Sequence, residues 1–238
     1  MKKKRVIFVK NNTLISAFTF FFVLLFLVFF FSSPILAKAY QPEISGSFES
    51  GDRLYTDPGN WDADQPLDYY RYDKQWLKYK QKLAVGEYYY LKLQRQEKIY
   101  DQSQSYNNLN LETEANYTFY LTEKIRNRFK LLLRDKDYLE SDYTEKDYQL
   151  ARLQYTLQYE HNDFHDYELI LQRQWTEYQY NSASDYNRDR VALKWDWQVR
   201  PDLELNTKVQ YDWQRNNQNS NRSDKDGRKI SLKFKYKL

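Results

Sequence analysis

The chain of 238 residues contains no cysteine and only five glycines and five prolines. The absence of cysteine excludes both a disulfide framework and a thiol nucleophile. The scarcity of glycine and proline argues against a soluble β-sandwich, because the turns of that fold depend on these two residues. The chain is rich instead in tyrosine and tryptophan, with 24 and six residues respectively. Such amphipathic rings suit a membrane–water interface.

The N-terminal segment has the pattern of a secretory signal peptide. Basic residues at positions 2–5 precede an apolar run from Leu14 to Phe31, and Ala37-Lys38-Ala39 matches the small-residue cleavage pattern. We therefore expect export and removal of residues 1–39, which leaves one mature domain, residues 40–238. An uncleaved anchor is the alternative, since the apolar run approaches the roughly 20 residues that span a bilayer.

The positive charge of the chain belongs to this segment. The formal net charge is +4, but residues 1–39 contain six basic residues and no acidic ones. The mature chain is therefore slightly acidic and lacks the excess of clustered lysine and arginine that marks nucleic-acid binding. We expect no nucleic-acid partner.

The remaining sequence alternates between apolar and polar residues with the period of two that β-strands show. The alternation is longest over residues 109–121, 191–199 and 203–214, and it is unbroken over residues 229–238. In this last segment lysines fill one face, except at one serine, and the other face carries Ile230, Leu232, Phe234, Tyr236 and Leu238. A face of lysines cannot pack in a core, so this strand needs an apolar medium on one side and water on the other.

We predict ten strands, near residues 44–53, 71–83, 88–100, 108–121, 125–136, 147–159, 166–180, 189–199, 203–214 and 228–238. Long polar loops and short turns connect them alternately, as in bacterial outer-membrane barrels, and an even strand number places both termini in the periplasm. The sequence thus predicts an all-β fold, an antiparallel up-and-down transmembrane β-barrel of about ten strands. A soluble sandwich with one wet face is the alternative.

Several residues break the alternation. Arg95, Glu97 and Asn127 share the parity of apolar neighbours. For Arg95 and Glu97 we expect a position near a strand end, where a charge costs little. Arg173 lies in the middle of a predicted strand, so either a β-bulge shifts the register there or the arginine snorkels. The pattern is weakest in the first strand.

Together, the leader, the alternating strands and the terminal strand resemble bacterial outer-membrane β-barrel proteins as a class. The resemblance implies a porin-like protein in the outer membrane of a diderm bacterium, surrounded by outer-membrane lipid. It also implies that the barrel-assembly machinery reads the terminal strand through Phe234, Tyr236 and Leu238. That signal usually ends in phenylalanine, whereas this chain ends in Leu238.

Two basic ladders are predicted to face the lumen. One comprises Arg126, Arg128, Lys130, Arg134 and Lys136, and the other comprises Lys229, Lys233, Lys235 and Lys237. Glu112 and Glu114 are predicted to face inward beside the first ladder. Either the charges pair and plug a narrow interior, or unmatched basic residues attract anions into a pore.

Two other groups are weaker candidates. His161 and His165, with carboxylates beside them, carry zinc-type donors, but a hydrated periplasmic turn also accounts for them. A second group has the oxygen donors that calcium prefers and a ring that could contact a ligand: Asp57, Asn60, Trp61, Asp62 and Asp64. Neither group predicts a resident metal or cofactor.

The sequence leaves three functions open. They are a structural or interaction barrel anchored in the outer membrane, a narrow passive pore for small, anion-leaning solutes, and an outer-membrane hydrolase. The hydrolase lacks a convincing catalytic set, since no G-x-S-x-G motif occurs and both histidines lie at the predicted periplasmic end. We therefore predict no enzyme, and the sequence specifies neither a ligand nor an oligomeric state.

Overall fold

A computed structural model describes residues 41–55, 68–101, 104–216 and 224–236, and consists almost entirely of strands. The strands are β1 (Glu43–Tyr55), β2 (Asp68–Ala84), β3 (Glu87–Tyr100), β4 (Asn108–Thr122), β5 (Ile125–Tyr138), β6 (Tyr148–Asn162), β7 (His165–Tyr178), β8 (Tyr186–Arg200), β9 (Leu203–Asn216) and β10 (Lys225–Tyr236). Short 3₁₀ turns occupy three of the longer connections, at Gln104–Tyr106, Ser141–Lys146 and Ser182–Ser184. Within the described ranges, no helix has the length and apolar character to cross a bilayer.

The strands form one antiparallel sheet in the order of the chain, so each strand pairs with the next. The prediction of ten up-and-down strands is confirmed, and the bounds differ from the predicted ones by at most three residues. Nine successive registers connect β1 to β10. Between the described residues of β1 and β10 no register is formed, so both strands are edges of this sheet.

The registers sort the side chains into two faces. We call the face that carries Glu112 and Glu114 the polar face, and the face that carries Leu111 and Tyr117 the apolar face. In a soluble protein the apolar face of a sheet is buried, whereas here the polar face is the more buried one. On the polar face Thr118 is fully buried and Gln174 and Thr176 are almost so, whereas on the apolar face Leu193 and Phe234 are 60% and 75% exposed.

This burial indicates curvature of the sheet. No second layer covers the polar face in the described parts of the chain, so its side chains can be buried only against one another. The sheet therefore curls with the polar face on its concave side. The apolar face is convex and presents its leucines, tyrosines and phenylalanines outward.

The four short turns share one geometry. They are Val85–Gly86, Glu123–Lys124, Asp163–Phe164 and Pro201–Asp202. A register shift precedes each turn and leaves one residue unpaired, at Leu83, Leu121, His161 and Val199. Gly86 has a φ of 74°, and a Cβ there would lie 2.5 Å from the Tyr120 ring, so no other residue fits without movement.

A second repeated feature closes the long connections. An Asx side chain just before a strand accepts a hydrogen bond from the backbone N–H at the end of the preceding strand. The four pairs are Asn107 with Tyr100 at 2.6 Å, Asp147 with Tyr138 at 2.6 Å, Asp185 with Tyr178 at 2.7 Å and Asp224 with Asn216 at 2.9 Å. Together with the turns, these bonds make the chain a series of similar hairpins. This repeat was not predicted, although these Asx residues recur at nearly equal intervals in the sequence.

Candidate functional site on the polar face

Ion pairs cross the centre of the polar face. Glu112 accepts a bond from Arg134 at 2.7 Å, and Glu114 pairs with Lys130 at 2.7 Å. Tyr90 on β3 also donates to Glu114. Both glutamates therefore lie beside the first basic ladder, on the same face of the sheet. On β8 and β9, Arg190 and Asp212 form a similar cross-strand pair at 2.5 Å.

The two predicted basic ladders both lie on this face. All five residues of the first ladder share it, and Lys229, Lys233 and Lys235 of the second do so on β10. Lys237 lies outside the described residues. Among the described side chains, no carboxylate comes within 4.0 Å of the three β10 lysines, so the second ladder is not neutralised locally.

Basic residues outnumber acidic ones over the polar face as a whole. Its described basic residues are Arg53, Lys74, Lys78, Lys80, Lys82, Lys92, Lys98, Arg126, Arg128, Lys130, Arg134, Lys136, Arg152, Arg188, Arg190, Lys194, Lys208, Lys225, Lys229, Lys233 and Lys235. Its described acidic residues are Glu43, Glu49, Glu112, Glu114, Glu160, Asp166, Glu168, Asp196, Glu204 and Asp212. Any solvent enclosed by this face would have a positive potential.

Lysines and aromatic rings interleave on the polar face of β2 and β3, a feature that the sequence analysis missed. Four lysine ammonium groups lie over rings: Lys78 over Tyr90 at 4.4 Å, Lys80 over Tyr88 at 5.0 Å, Lys92 over Trp76 at 5.5 Å and Lys98 over Tyr70 at 4.8 Å. We call these eight residues the lysine–aromatic surface. The signal was present in the sequence, because lysine and aromatic residues share the even positions from Tyr70 to Lys82.

Most charges on the apolar face lie toward the long connections, whereas Glu87 lies beside the first short turn. Arg95 and Glu97 pair with each other at 2.6 Å near the end of β3, as expected from the sequence. Arg173 lies opposite Asp189, 3.7 Å away, and over the Trp175 ring at 5.4 Å. The registers of β7 run through this position without a shift, so the suggested β-bulge is wrong.

Asn127 also faces the apolar side, close to a short turn. It is buried, and its side-chain oxygen accepts a hydrogen bond from Tyr155 at 2.6 Å. The adjoining end of the apolar face carries an aromatic belt. Its stacked pairs include Phe119 with Phe129, at 6.3 Å between ring centroids, and Tyr167 with Trp195, at 6.5 Å.

The two histidines flank a turn rather than occupy it. His165 begins β7 and stacks against Trp195 and Trp197, with the Trp195 indole donating to its Nδ1 at 3.2 Å. His161 contacts the Tyr159 hydroxyl, 3.3 Å from its Nδ1. In the described part of the chain, no group of three or more His, Cys, Asp or Glu side chains is arranged to hold a metal ion.

Three predicted features lie outside the described residues. They are the signal peptide, the acidic loop that includes Asp57, Asn60, Trp61, Asp62 and Asp64, and the terminal Leu238. Phe234 and Tyr236 lie on the apolar face of β10, on the side predicted for them.

No protein-family model matches the chain, and no curated protein matches its sequence.

Proposed function

We propose that the mature chain is an integral outer-membrane β-barrel protein whose interior is a narrow, anion-selective passage. The observation that carries this proposal is the inverted burial of the sheet, polar on the concave side and apolar on the convex side. In water an apolar surface of this extent drives association. A bilayer removes that cost, and the N-terminal leader supports an exported location.

The length of the apolar face supports a transmembrane position. On three strands apolar residues fill the face with at most a single small polar interruption, at Ala151–Tyr159, Val191–Val199 and Leu203–Trp213. A tilted spanning strand needs about 9–11 residues, which these segments supply. Aromatic rings at the short-turn end and charges toward the long connections mark the two boundaries of the proposed membrane layer.

We propose that β1 and β10 pair with each other and close the barrel. Two unpaired edges would leave backbone groups without partners in lipid, which costs several kcal/mol for each group. The hairpin repeat supports closure, because Asp224 precedes β10 as Asn107, Asp147 and Asp185 precede β4, β6 and β8. β10 is thus the first strand of a fifth hairpin, and β1 is available as its second.

The distribution of charge favours a passage over a sealed plug. Glu112 and Glu114 on β4 neutralise Arg134 and Lys130 on β5, but the lysines of β10 have no such partners among the described residues. Unmatched cations in a confined, water-filled space attract anions. A structural or interaction barrel is the second candidate function, which the neutralised centre at Glu112 and Glu114 favours. We propose no enzymatic role.

Two measurements test the proposal. The refolded mature protein should migrate differently on SDS gels before and after boiling, and in planar bilayers under a salt gradient its reversal potential should favour chloride. Replacement of Lys229, Lys233 and Lys235 by glutamine should reduce the preference for chloride. A heat-modifiable protein without conductance would support the structural barrel instead. Cation selectivity, or a protein that is soluble without detergent, would overturn the proposal.

A further inference from the structure

We propose that the lysine–aromatic surface on β2 and β3 binds an anionic oligosaccharide, a chain of sugar rings that carry carboxylates. This inference rests on the proposed function, because it requires the polar face to line an interior that solutes can enter. It goes further by assigning a chemical class of ligand to one part of that interior.

The first support is the absence of local counter-charges. The described side chains on the polar face of β2 and β3 include no carboxylate, and Lys78, Lys92 and Lys98 have none within 4.0 Å. Lys80 approaches Glu43 on β1 only to 3.9 Å, and both side chains remain accessible to solvent. On β4 and β5, by contrast, Glu112 pairs with Arg134 and Glu114 pairs with Lys130. Unmatched positive charge therefore lies beside aromatic rings on β2 and β3, whereas the unmatched lysines of β10 have no ring beside them among the described residues of that strand's polar face.

The second support is the relative placement of ammonium groups and rings. Each of the four lysine–ring pairs brings a cation next to an apolar aromatic face, at 4.4–5.5 Å from the ring centroid. A sugar ring has an apolar C–H face that packs on such aromatic rings and equatorial substituents at its edge. A carboxylate at that edge would meet the neighbouring ammonium group, so one ligand unit satisfies both parts of a pair.

The third support is periodicity. Side chains two residues apart on a strand lie on the same face and are separated by about 7 Å. Lys78 and Lys80 on β2 follow one another at this spacing, and Tyr88 and Tyr90 on β3 do the same. A surface that repeats both the charge and the ring suits a polymer that repeats both a ring and a carboxylate.

A single-stranded nucleic acid is the main competitor, since it also combines negative charge with flat rings. Base stacking requires an uncovered aromatic face. The rings of Trp76, Tyr88 and Tyr90 are half-buried and each has a lysine over part of its face, which restricts a base and a sugar alike. The described polar face of β2 and β3 contains no arginine, whose planar fork matches phosphate. The absence of arginine there favours the saccharide.

The experiment is a binding titration of the refolded full-length mature protein with three hexamers. The probes are an alginate-derived hexuronate, neutral maltohexaose and hexathymidylate. Calorimetry should give binding of the hexuronate at least tenfold tighter than binding of either other probe. Equally tight binding of maltohexaose would show that the carboxylates of the ligand do not contribute to affinity. Equal or tighter binding of hexathymidylate would assign the surface to nucleic acid. Either result, or no binding of the hexuronate, overturns the inference.

Matched variants locate the site. The double substitution Lys78→Gln and Lys92→Gln should weaken hexuronate binding at least tenfold, and Lys78→Arg with Lys92→Arg should retain it. The control Lys229→Gln with Lys233→Gln removes the same charge from the polar face of β10, where no aromatic ring lies among the described residues, and should leave affinity within threefold. Equal loss in both glutamine variants would show general electrostatic attraction and overturn the site. Heat-modifiable migration of every variant separates loss of binding from loss of the barrel.

Trp76 gives an independent signal. It is the only described tryptophan on the polar face, because Trp175, Trp195, Trp197 and Trp213 all lie on the apolar face. Hexuronate should change tryptophan emission in the parent protein, and Trp76→Phe, which keeps an aromatic ring, should abolish the change while retaining affinity. An unchanged spectral response in this variant would place the ligand elsewhere.

Discussion

Arg173 is the charge that the alternation of the sequence leaves unexplained, and its neighbours across the strands account for it. Its position follows from the register of β7 against β8, which places Asp189 opposite it, and from the adjacent Trp175 ring. Arg173 is an even number of residues away from apolar neighbours such as Leu171, which shows that it faces the apolar side. This spacing cannot show the counter-charge, because the register between two strands depends on both strands and on their turn.

Replacement of Asp189 by asparagine is expected to lower the free energy of unfolding by about 1 kcal/mol, the cost of an uncompensated charge near a membrane boundary. The substitution leaves Arg173 charged on the apolar face with no carboxylate opposite it. Urea titration of the protein refolded in lipid vesicles measures the change. The double variant Arg173→Leu with Asp189→Asn should recover the parent stability. Equal losses in the single and the double variant would show that the two side chains are not coupled.

Asp147 and Asp185, two of the residues that precede strands, make stability depend on pH. Burial raises the pKa of Asp147 above its usual value, and the bond from the Tyr138 N–H only partly offsets this effect. Because the folded-state pKa exceeds that of the unfolded chain, the stabilising contribution of this group is complete at low pH. It is lost as the pH rises through the folded-state pKa. Asp185 has a raised pKa for the same reason.

Asp147→Asn should therefore match the parent at pH 3 and exceed it in stability at pH 7, because the amide keeps the acceptor oxygen and cannot ionise. Asn107 already fills the equivalent position in the preceding hairpin. Asp147→Ala should be about 1 kcal/mol less stable than Asp147→Asn at both pH values, since the Tyr138 N–H loses its partner. Urea midpoints at the two pH values test both expectations. An asparagine variant as unstable as the alanine variant at pH 7 would contradict them.

Among the strands, β4, β8 and β9 were the most predictable from sequence, and their structure shows why. A sustained period of two is a local property, so residues 109–121 and 203–214 reveal a strand without any knowledge of its neighbours. The same locality explains what was missed. On β2 both faces carry large side chains, and only the register with β3 shows that its lysines meet rings such as Tyr88 and Tyr90.

The last strand offers the sharpest contrast between the two faces. Phe234 lies opposite Leu205, near the short-turn boundary of the proposed membrane layer, so Phe234→Lys should cost up to about 1 kcal/mol and should also reduce assembly. Lys233→Gln, one residue away on the polar face, should be tolerated. The yield of heat-modifiable protein and its urea stability measure both effects. Comparable losses from the two substitutions would mean that the faces of β10 do not differ in their surroundings.

At the scale of the whole molecule, the repeated hairpins predict which connections lie on the same side of the membrane. Tyr180, 67% exposed in a long connection, and Val85, 90% exposed in a short turn, lie at opposite ends of their strands. Cysteine at position 180 should react with an impermeant reagent on intact cells, and cysteine at position 85 should react only after the outer membrane is opened. The chain has no native cysteine, so only the introduced thiol of this protein can react with the reagent. Labelling at position 85 but not at position 180 would show that the short turns, and not the long connections, face the outside of the cell.

Closure by β1 and β10 has a direct covalent test. Ser47 and Lys233 both lie on the polar face, and the register of the other hairpins, applied to β10 and β1, places Ser47 opposite Lys233 or Lys235. A cysteine at position 47 should form an intrachain disulfide with a cysteine at 233 or 235, because paired strands bring Cα atoms within the roughly 4.4–6.8 Å that a disulfide requires. Phe48→Cys, on the apolar face, should not bond to either position. Crosslinks between chains, or none within a chain, would show that the edges are not joined and that the sheet meets lipid in another way.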